Sequence, residues 1–191
     1  MYRINEIFYS LQGEGFHTGT PAVFVRFSGC NLRCPFCDTD FEEYSLYSAE
    51  DICRQVEELI GGKGEFPTPS ILVIMTGGEP SLQADEKLTC ALHQLVKTIC
   101  IETNGTHTLP HGIDWITCSP KEGSKVVLKE ADEVKVVYTG QDVECWRKNI
   151  SAQHYFLQPC SCQNTQETIE YILNHPMWRL SLQTHKLTGV R

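Results

Sequence analysis

Apolar residues along this chain fall in short runs whose spacing switches between two and three to four, the alternation expected of strands and helices taken in turn. Residues 6–9 and 22–28 are rich in aromatic and β-branched side chains and bounded by glycines, which predicts two short strands. Ser48 is followed by Ala49-Glu50-Asp51, a cap and an acidic first turn. Ile52, Val56, Leu59 and Ile60 then recur at helical spacing until Gly61-Gly62, so a helix is predicted over 48–60. The unbroken apolar run 71–75 is what a parallel strand buried on both faces shows. Thr76-Gly77-Gly78-Glu79-Pro80 follows at once, and a helix is predicted from 81 towards 93. Further strands are predicted over 99–102, 115–118, 133–137, 155–157 and 179–182, and helices over 143–150 and 165–174. Strands that alternate with helices, each ending in a Gly, Pro or polar cluster, imply an α/β chain of right-handed βαβ units with its loops on one face. There are too few units to close an eight-fold barrel. The expected architecture is an incomplete TIM-type barrel of about six parallel strands, smaller than the ~250 residues of the closed fold.

Length and charge narrow the functional classes. The 191 residues fit one domain, expected to span 1–191, with a core of its own. Sixteen Lys and Arg against twenty-four Asp and Glu give a net charge of −8, which argues against nucleic acid or an anionic membrane surface as partner and favours a small-molecule substrate. The first residues contain no apolar targeting segment, and the run 71–75 is too short to cross a bilayer, so a soluble, cytoplasmic protein is expected. Its ten cysteines are read as reduced thiols, because a chain of this size and apolar content needs no disulfide scaffold.

The chemistry is concentrated in Cys30-Asn31-Leu32-Arg33-Cys34-Pro35-Phe36-Cys37-Asp38-Thr39. Thiolates are soft ligands that select iron–sulfur clusters or zinc. A closed structural zinc site would show a fourth cysteine at matching spacing, so these three leave the metal centre open on one side. In Leu11-Gln12-Gly13-Glu14-Gly15 the glycines allow a ligand to approach the main chain, although an ordinary loop between strands fits as well. Arg26, at the end of a strand four residues before Cys30, could grip a planar carboxylate or belong to a structural ion pair.

The Cys-x3-Cys-x2-Cys spacing resembles the signature of the radical S-adenosylmethionine superfamily, whose three thiolates hold a 4Fe-4S cluster and whose fourth iron takes the amino and carboxylate groups of S-adenosylmethionine. Nearly the whole chain is also similar to the 7-carboxy-7-deazaguanine synthase family. The marks are Leu11-Gln12-Gly13-Glu14-Gly15, Arg26, Cys37-Asp38-Thr39, Thr76-Gly77-Gly78-Glu79-Pro80, Glu102-Thr103-Asn104-Gly105, Ser119-Pro120-Lys121, Gln158-Pro159 and Gln183-Thr184-His185-Lys186. This resemblance implies conversion of 6-carboxy-5,6,7,8-tetrahydropterin to 7-carboxy-7-deazaguanine with loss of ammonia, in the queuosine pathway. A 5′-deoxyadenosyl radical would take hydrogen from C6 of the pterin, with S-adenosylmethionine regenerated at the end. By position, Cys30, Cys34 and Cys37 would hold the cluster. Phe36, Cys37, Asp38, Gly78, Ser119, Pro120, Lys121, Gln158, Pro159, Cys160 and Ser161 would meet S-adenosylmethionine. Leu11, Gln12, Gly13, Arg26, Thr76 and Arg191 would meet the substrate, and Thr39 would ligate magnesium. Glu102 suits a ribose or cofactor contact, and His185 is either a proton-transfer group or plain structure. The resemblance also implies a reducing electron donor of flavodoxin type and a homodimer.

Two rival readings keep part of the pattern. A glycyl-radical enzyme activase shares the cluster motif but would not need a carboxylate grip at Arg26. A non-enzymatic zinc-binding module would close the three cysteines with His17, His107 or His111. The pair Cys160-Ser161-Cys162 departs from the family pattern and raises a second metal site or redox damage near the cofactor. Cys53, Cys90, Cys100, Cys118 and Cys145 are read as small core residues.

Overall fold

The computed structural model describes residues 1–37, 39–40, 42–61 and 67–190. Its nine strands form one sheet in the order β3-β1-β2-β4-β5-β6-β7-β8-β9. They are β1 (Tyr2–Leu11), β2 (Pro21–Phe27), β3 (Ser45–Tyr47), β4 (Thr68–Gly77), β5 (Val96–Thr103), β6 (Trp115–Cys118), β7 (Glu130–Tyr138), β8 (Ser151–Pro159) and β9 (Arg179–Leu180). From β2 through β4 to β9 every neighbouring pair is parallel, whereas β1 pairs antiparallel with both β2 and β3. The outermost strands, β3 and β9, do not pair with each other, so the barrel is open as expected. It has seven parallel strands rather than about six, the seventh being the two-residue β9.

Period-two alternation sorts the sheet's two faces. Val23, Val25 and Phe27 of β2, Val73 and Met75 of β4, and Ile99 and Ile101 of β5 pack with Ile52, Val56 and Ile60 of α1 (Ala49–Ile60) and Leu88 and Leu92 of α2 (Glu86–Leu92). Val134, Val136 and Leu157 continue that face against Val143, Ile150 and Trp178. The intervening residues form the other face, which is layered. Phe8, Phe24, Ile74 and Cys100 make an apolar lower layer. Two residues further along their strands, Arg26, Thr76 and Glu102 replace them with polar groups and line a cavity at the strand ends, together with Lys135 and Gln158. This is the C-terminal end of the parallel strands, where such sheets carry their sites.

The α1 cap is as predicted: Ser48 Oγ accepts from Asp51 N–H and the Asp51 carboxylate accepts from Ser48 N–H, each at 3.1 Å. The helix expected over 81–93 is broken. Pro80–Leu82 form a 3-10 turn capped by the Glu79 carboxylate, and α2 starts afresh at Glu86, where the Asp85 side chain accepts from Leu88 N–H. The strict alternation of strand and helix also fails, because the crossovers 104–114 and 119–129 contain no helix. Pro110, Gly112, Pro120 and Gly123 interrupt them. The expected helices over 143–150 and 165–174 are α3 (Glu144–Asn149) and α4 (Thr165–Asn174), and a short α5 (Thr184–Thr188) follows β9. All ten cysteines are unpaired, but two of those expected in the core are not there: α2 turns Leu88, Thr89 and Leu92 inward and leaves Cys90 exposed, and Cys145 is half-buried outside the apolar clusters. Among the described residues no helix is long and apolar enough to cross a membrane.

Candidate active site

The cysteine loop leaves the end of β2 and is fastened by the Gly-Gly-Glu segment that ends β4. Gly78 N–H donates to Phe27 O and Glu79 N–H to Gly29 O, both at 2.9 Å. A Cβ on Gly77, whose φ is +133°, would overlap the Phe27 carbonyl, and one on Gly78 would overlap that of Gly29. Close backbone approach, rather than a turn, therefore requires both glycines. Glu79, only 1% exposed, accepts from Ser81 N–H at 3.0 Å, Thr103 Oγ1 at 2.6 Å and Asn104 N–H at 2.7 Å. Asn104 Nδ2 in turn donates to Asn31 Oδ1 at 3.0 Å, so the strand ends of β4 and β5 both hold the loop between Cys30 and Cys34.

Cys30, Cys34 and Cys37 share the cavity wall with Gly78, Ser119, Lys121, Gln158 and Pro159. Burial raises the pKa of the Cys30 and Cys34 thiols; the N–H of Leu32, 3.4 Å from Cys30 Sγ, and the Lys121 ammonium near Cys34 pull the other way. Burial likewise lowers the pKa of Lys121, whose Nζ donates to Ser119 O and Oγ at 2.6 and 2.7 Å. Metal binding must displace the thiol protons, and three soft donors around one cavity mouth would suit an iron–sulfur cluster. Among the described residues no three His, Cys, Asp or Glu side chains are gathered closely enough to chelate a single metal ion. His17 and His111 lie elsewhere, His17 packed on Trp115 and His111 beside Glu86, while His107 bonds Thr106.

Across the cavity, of about 710 Å³, the walls are charged. Lys135 Nζ lies 2.6 Å from Glu14 Oε2 and 3.1 Å from Glu102 Oε1 with its side chain only 6% exposed. Gln158 and Gln183 each donate to Glu14 Oε1, and Gln12 and Thr76 donate to the two oxygens of Glu102. Burial opposes ionisation of Glu102, but the Lys135 ammonium and these hydrogen bonds outweigh it and hold its pKa below the usual carboxylate range. Burial opposes the charge on Lys135 too, and Glu102 and Glu14 overcome it, so the ammonium is retained. For Glu133, one layer down, burial wins and the pKa rises. Arg26 faces the same space, with Nε 2.8 Å from Glu6 Oε1 on β1.

Comparison with known proteins identifies the arrangement. The profile of the Radical SAM superfamily matches residues 24–151. A 7-carboxy-7-deazaguanine synthase of Bacteroides thetaiotaomicron is 56% identical over 191 residues, all of both chains. The chain belongs to the 7-carboxy-7-deazaguanine synthase family. A synthase of Bradyrhizobium diazoefficiens is 40% identical over 209 residues, covering 100% of this chain and 99% of its own. The crystal structure of QueE from Escherichia coli superposes with a TM-score of 0.74 at 30% identity, over 95% of this chain and 93% of that one. Membership of the 7-carboxy-7-deazaguanine synthases makes this a radical S-adenosylmethionine enzyme with a 4Fe-4S cluster, acting on a small molecule and fed by an electron donor.

Of the site residues expected for a synthase of this family, the cavity wall gathers Leu11, Gln12, Gly13, Arg26, Phe36, Thr39, Thr76, Gly78, Ser119, Lys121, Gln158, Pro159, Cys160 and Ser161 with the three cysteines. Pro120 is the exception: it is buried and off the wall, between Ser119 and Lys121, which both line it. Asp38 and Arg191 lie outside the described residues. Sequence reasoning left off Glu14, Lys135 and Gln183 and kept Glu102 and His185 at a distance, yet all five line the cavity. A signal for Lys135 was present, since Glu133 and Lys135 stand two apart, alternating with the apolar Val134 and Val136, and so share one face of the strand.

Proposed function

We propose that this chain converts 6-carboxy-5,6,7,8-tetrahydropterin to 7-carboxy-7-deazaguanine and ammonia in one cavity, with the cysteines on one wall and the charged layer on the other. The observation that carries the reading is this single cavity shared by Cys30, Cys34, Cys37, Arg26 and the Lys135 network. When bound, the cluster and S-adenosylmethionine supply reductive radical generation. The protein's own residues bind, orient and exclude water. Phe36, Cys37, Gly78, Ser119, Lys121 and the turn from Gln158 to Ser161 form the cofactor side. Asp38 belongs to it by sequence position. Arg26, positioned by Glu6, receives the pterin carboxylate, and Leu11, Gln12, Gly13 and Thr76 border the ring, with Arg191 assigned there by position. Glu102, whose pKa the Lys135 ammonium helps to hold down, and Glu14 beside it suit the N–H donors of the pterin's aminopyrimidinone edge. The ten free thiols agree with a reducing, cytoplasmic setting, and a homodimer is part of the same reading. The decisive experiment is an anaerobic assay with reductant, S-adenosylmethionine and carboxytetrahydropterin; absence of deazaguanine and ammonia from iron-replete protein refutes the reading.

Arg26→Lys keeps the charge and loses the planar fork, so substrate affinity is expected to fall more than about tenfold, within the 2–5 kcal/mol typical of a broken sheltered charge pair. Titration calorimetry with pterin and with S-adenosylmethionine checks the assignment. Weakening of S-adenosylmethionine binding alone would move Arg26 to the other ligand.

Thr39 lies half-buried on the cavity wall, two residues past Cys37. Its hydroxyl is a hard oxygen that can join substrate oxygens and water around magnesium. Thr39→Val is expected to lower turnover and blunt its response to added magnesium. An unchanged magnesium response at wild-type turnover argues that Thr39 only shapes the loop.

A further inference from the structure

Behind the charged wall lies a further carboxylate that the cavity does not reach. Glu133 stands two residues before Lys135 on β7 and shares its face of the strand, yet it is only 3% exposed and is not on the cavity wall. A carboxylate so placed needs hydrogen-bond partners, and it has two. Thr117 Oγ1 on β6 donates to Oε1 at 2.9 Å, and the backbone N–H of Phe16, in the loop after β1, donates to Oε2 at 2.8 Å. We infer that Glu133 is a positioning residue for the substrate: by holding the Phe16 backbone it fixes the segment from Gly13 to Phe16, and so sets where the Glu14 carboxylate stands in the cavity. The inference rests on the pterin reading above and gives Glu133 no contact with either pterin or S-adenosylmethionine.

The loop is fitted to that carboxylate. Gly15 has a φ of +66°, and a Cβ there would overlap Glu133 Oε1, so the backbone lies against the carboxylate with no room for a side chain. Its own N–H donates to Ser181 Oγ at 2.9 Å, and Thr184 N–H donates to Gly13 O at 3.0 Å. One residue further, the Phe16 ring stacks on His154 and on Trp115, with centroids 4.5 and 4.8 Å apart. The chain is thus held on both sides of Glu14, whose carboxylate meets Lys135, Gln158 and Gln183. The Phe16 ring is still 46% exposed, so stacking alone gives a loose hold, whereas a hydrogen bond to a buried acceptor fixes the backbone. Burying an ionisable group is a costly way to brace a loop when stability alone is at stake, and a fixed place for Glu14 is what it supplies.

The test titrates cluster-loaded protein, anaerobically and without reductant, with S-adenosylmethionine and then with 6-carboxy-5,6,7,8-tetrahydropterin in its presence, by calorimetry. Glu133→Leu is expected to weaken pterin binding about tenfold or more, because a small misplacement of a binding group is costly, while iron content and S-adenosylmethionine affinity stay within about twofold of wild type. Glu133→Gln keeps an oxygen for Phe16 N–H and an amide N–H for Thr117 Oγ1, so it should bind pterin nearly as wild type does. A Gln variant as weak as the Leu one would mean that charge matters rather than the hydrogen bond, and would overturn the positioning role. Gly15→Ala displaces the loop with Glu133 intact and should reproduce the selective loss. Wild-type pterin affinity in that variant overturns the role, and it decides the matter if Glu133→Leu does not fold. In a Glu14→Gln background Glu133→Leu should add less than about a twofold loss, since the two act as a unit; losses that multiply overturn it. Val143→Ala, in the core on the helix-covered face, should lower the melting temperature and leave pterin affinity alone; an equal loss of pterin there would reduce Glu133 to a contributor to stability. Wild-type protein that binds no pterin refutes the proposed function and this role with it, whereas normal wild-type binding with indifferent variants refutes the role only.

Discussion

Cys34→Ala protein is expected to assemble no complete cluster and to cleave S-adenosylmethionine only at background, while keeping its fold. Cys34 is half-buried in a loop outside all three apolar clusters, so removing its sulfur creates no cavity in the core. What holds the loop is independent of it: the Gly78 and Glu79 backbone bonds and the Asn104–Asn31 bridge. Iron per chain, visible absorption and circular dichroism, measured together, separate a lost ligand from a lost fold. Alanine at Cys53, Cys90, Cys100, Cys118, Cys145, Cys160 or Cys162 should leave iron content unchanged. Cys160 lines the cavity and can alter cofactor affinity, but it holds no iron in this reading. A Cys34→Ala protein that still cleaves S-adenosylmethionine would remove the central claim.

Lys135→Met should be the most damaging single change in the charged wall. It strips the shared cation from Glu14 and Glu102 and leaves two carboxylates facing each other in a sheltered space. Removing one partner of a buried pair costs on the order of 3–5 kcal/mol. For a chain of this size that lowers the melting temperature by roughly 10 °C. The pH dependence carries the sharper signature. In the wild type Glu102 has a depressed pKa, so its contribution to stability is present above the unfolded-state value and is lost as pH falls through the folded one. Without Lys135, burial dominates and the pKa rises. The variant should then lose stability as pH climbs, and the acid limb of kcat/KM should move towards neutrality. Lys135→Arg should restore much of the stability. A Lys135→Met protein with wild-type melting and an unshifted acid limb would mean that the network is neither electrostatic in origin nor tied to turnover.

The strands were legible because burial on the helix-covered face leaves an unmistakable record: 71–75 and 99–102 could hardly be anything else. The broken helix after Pro80 was not, because the caps at Glu79 and Asp85 show themselves only once their carboxylates are seen to accept from Ser81 N–H and Leu88 N–H. The 3-residue β3 exists through pairing with β1, a non-local contact that composition does not encode. The cysteine half of the site is local in sequence and could be read directly. The charged half is assembled from the loop after β1, β5, β7 and the segment after β9, up to 169 positions apart in the Gln183–Glu14 bond, so only the fold reveals that Glu14, Lys135 and Gln183 meet.

The backbone clasp between Gly77-Gly78-Glu79 and the start of the cysteine loop bears on how the holoenzyme is made. A zinc finger acquires its shape and its metal in one event, since without the ion it has too little core to fold. Here carbonyls of Phe27 and Gly29 are already bound by the neighbouring strand end, and a buried Glu79 completes the clasp. Those bonds need no metal, so folding and metallation are expected to be separable steps, the iron-free chain already holding its strand ends together.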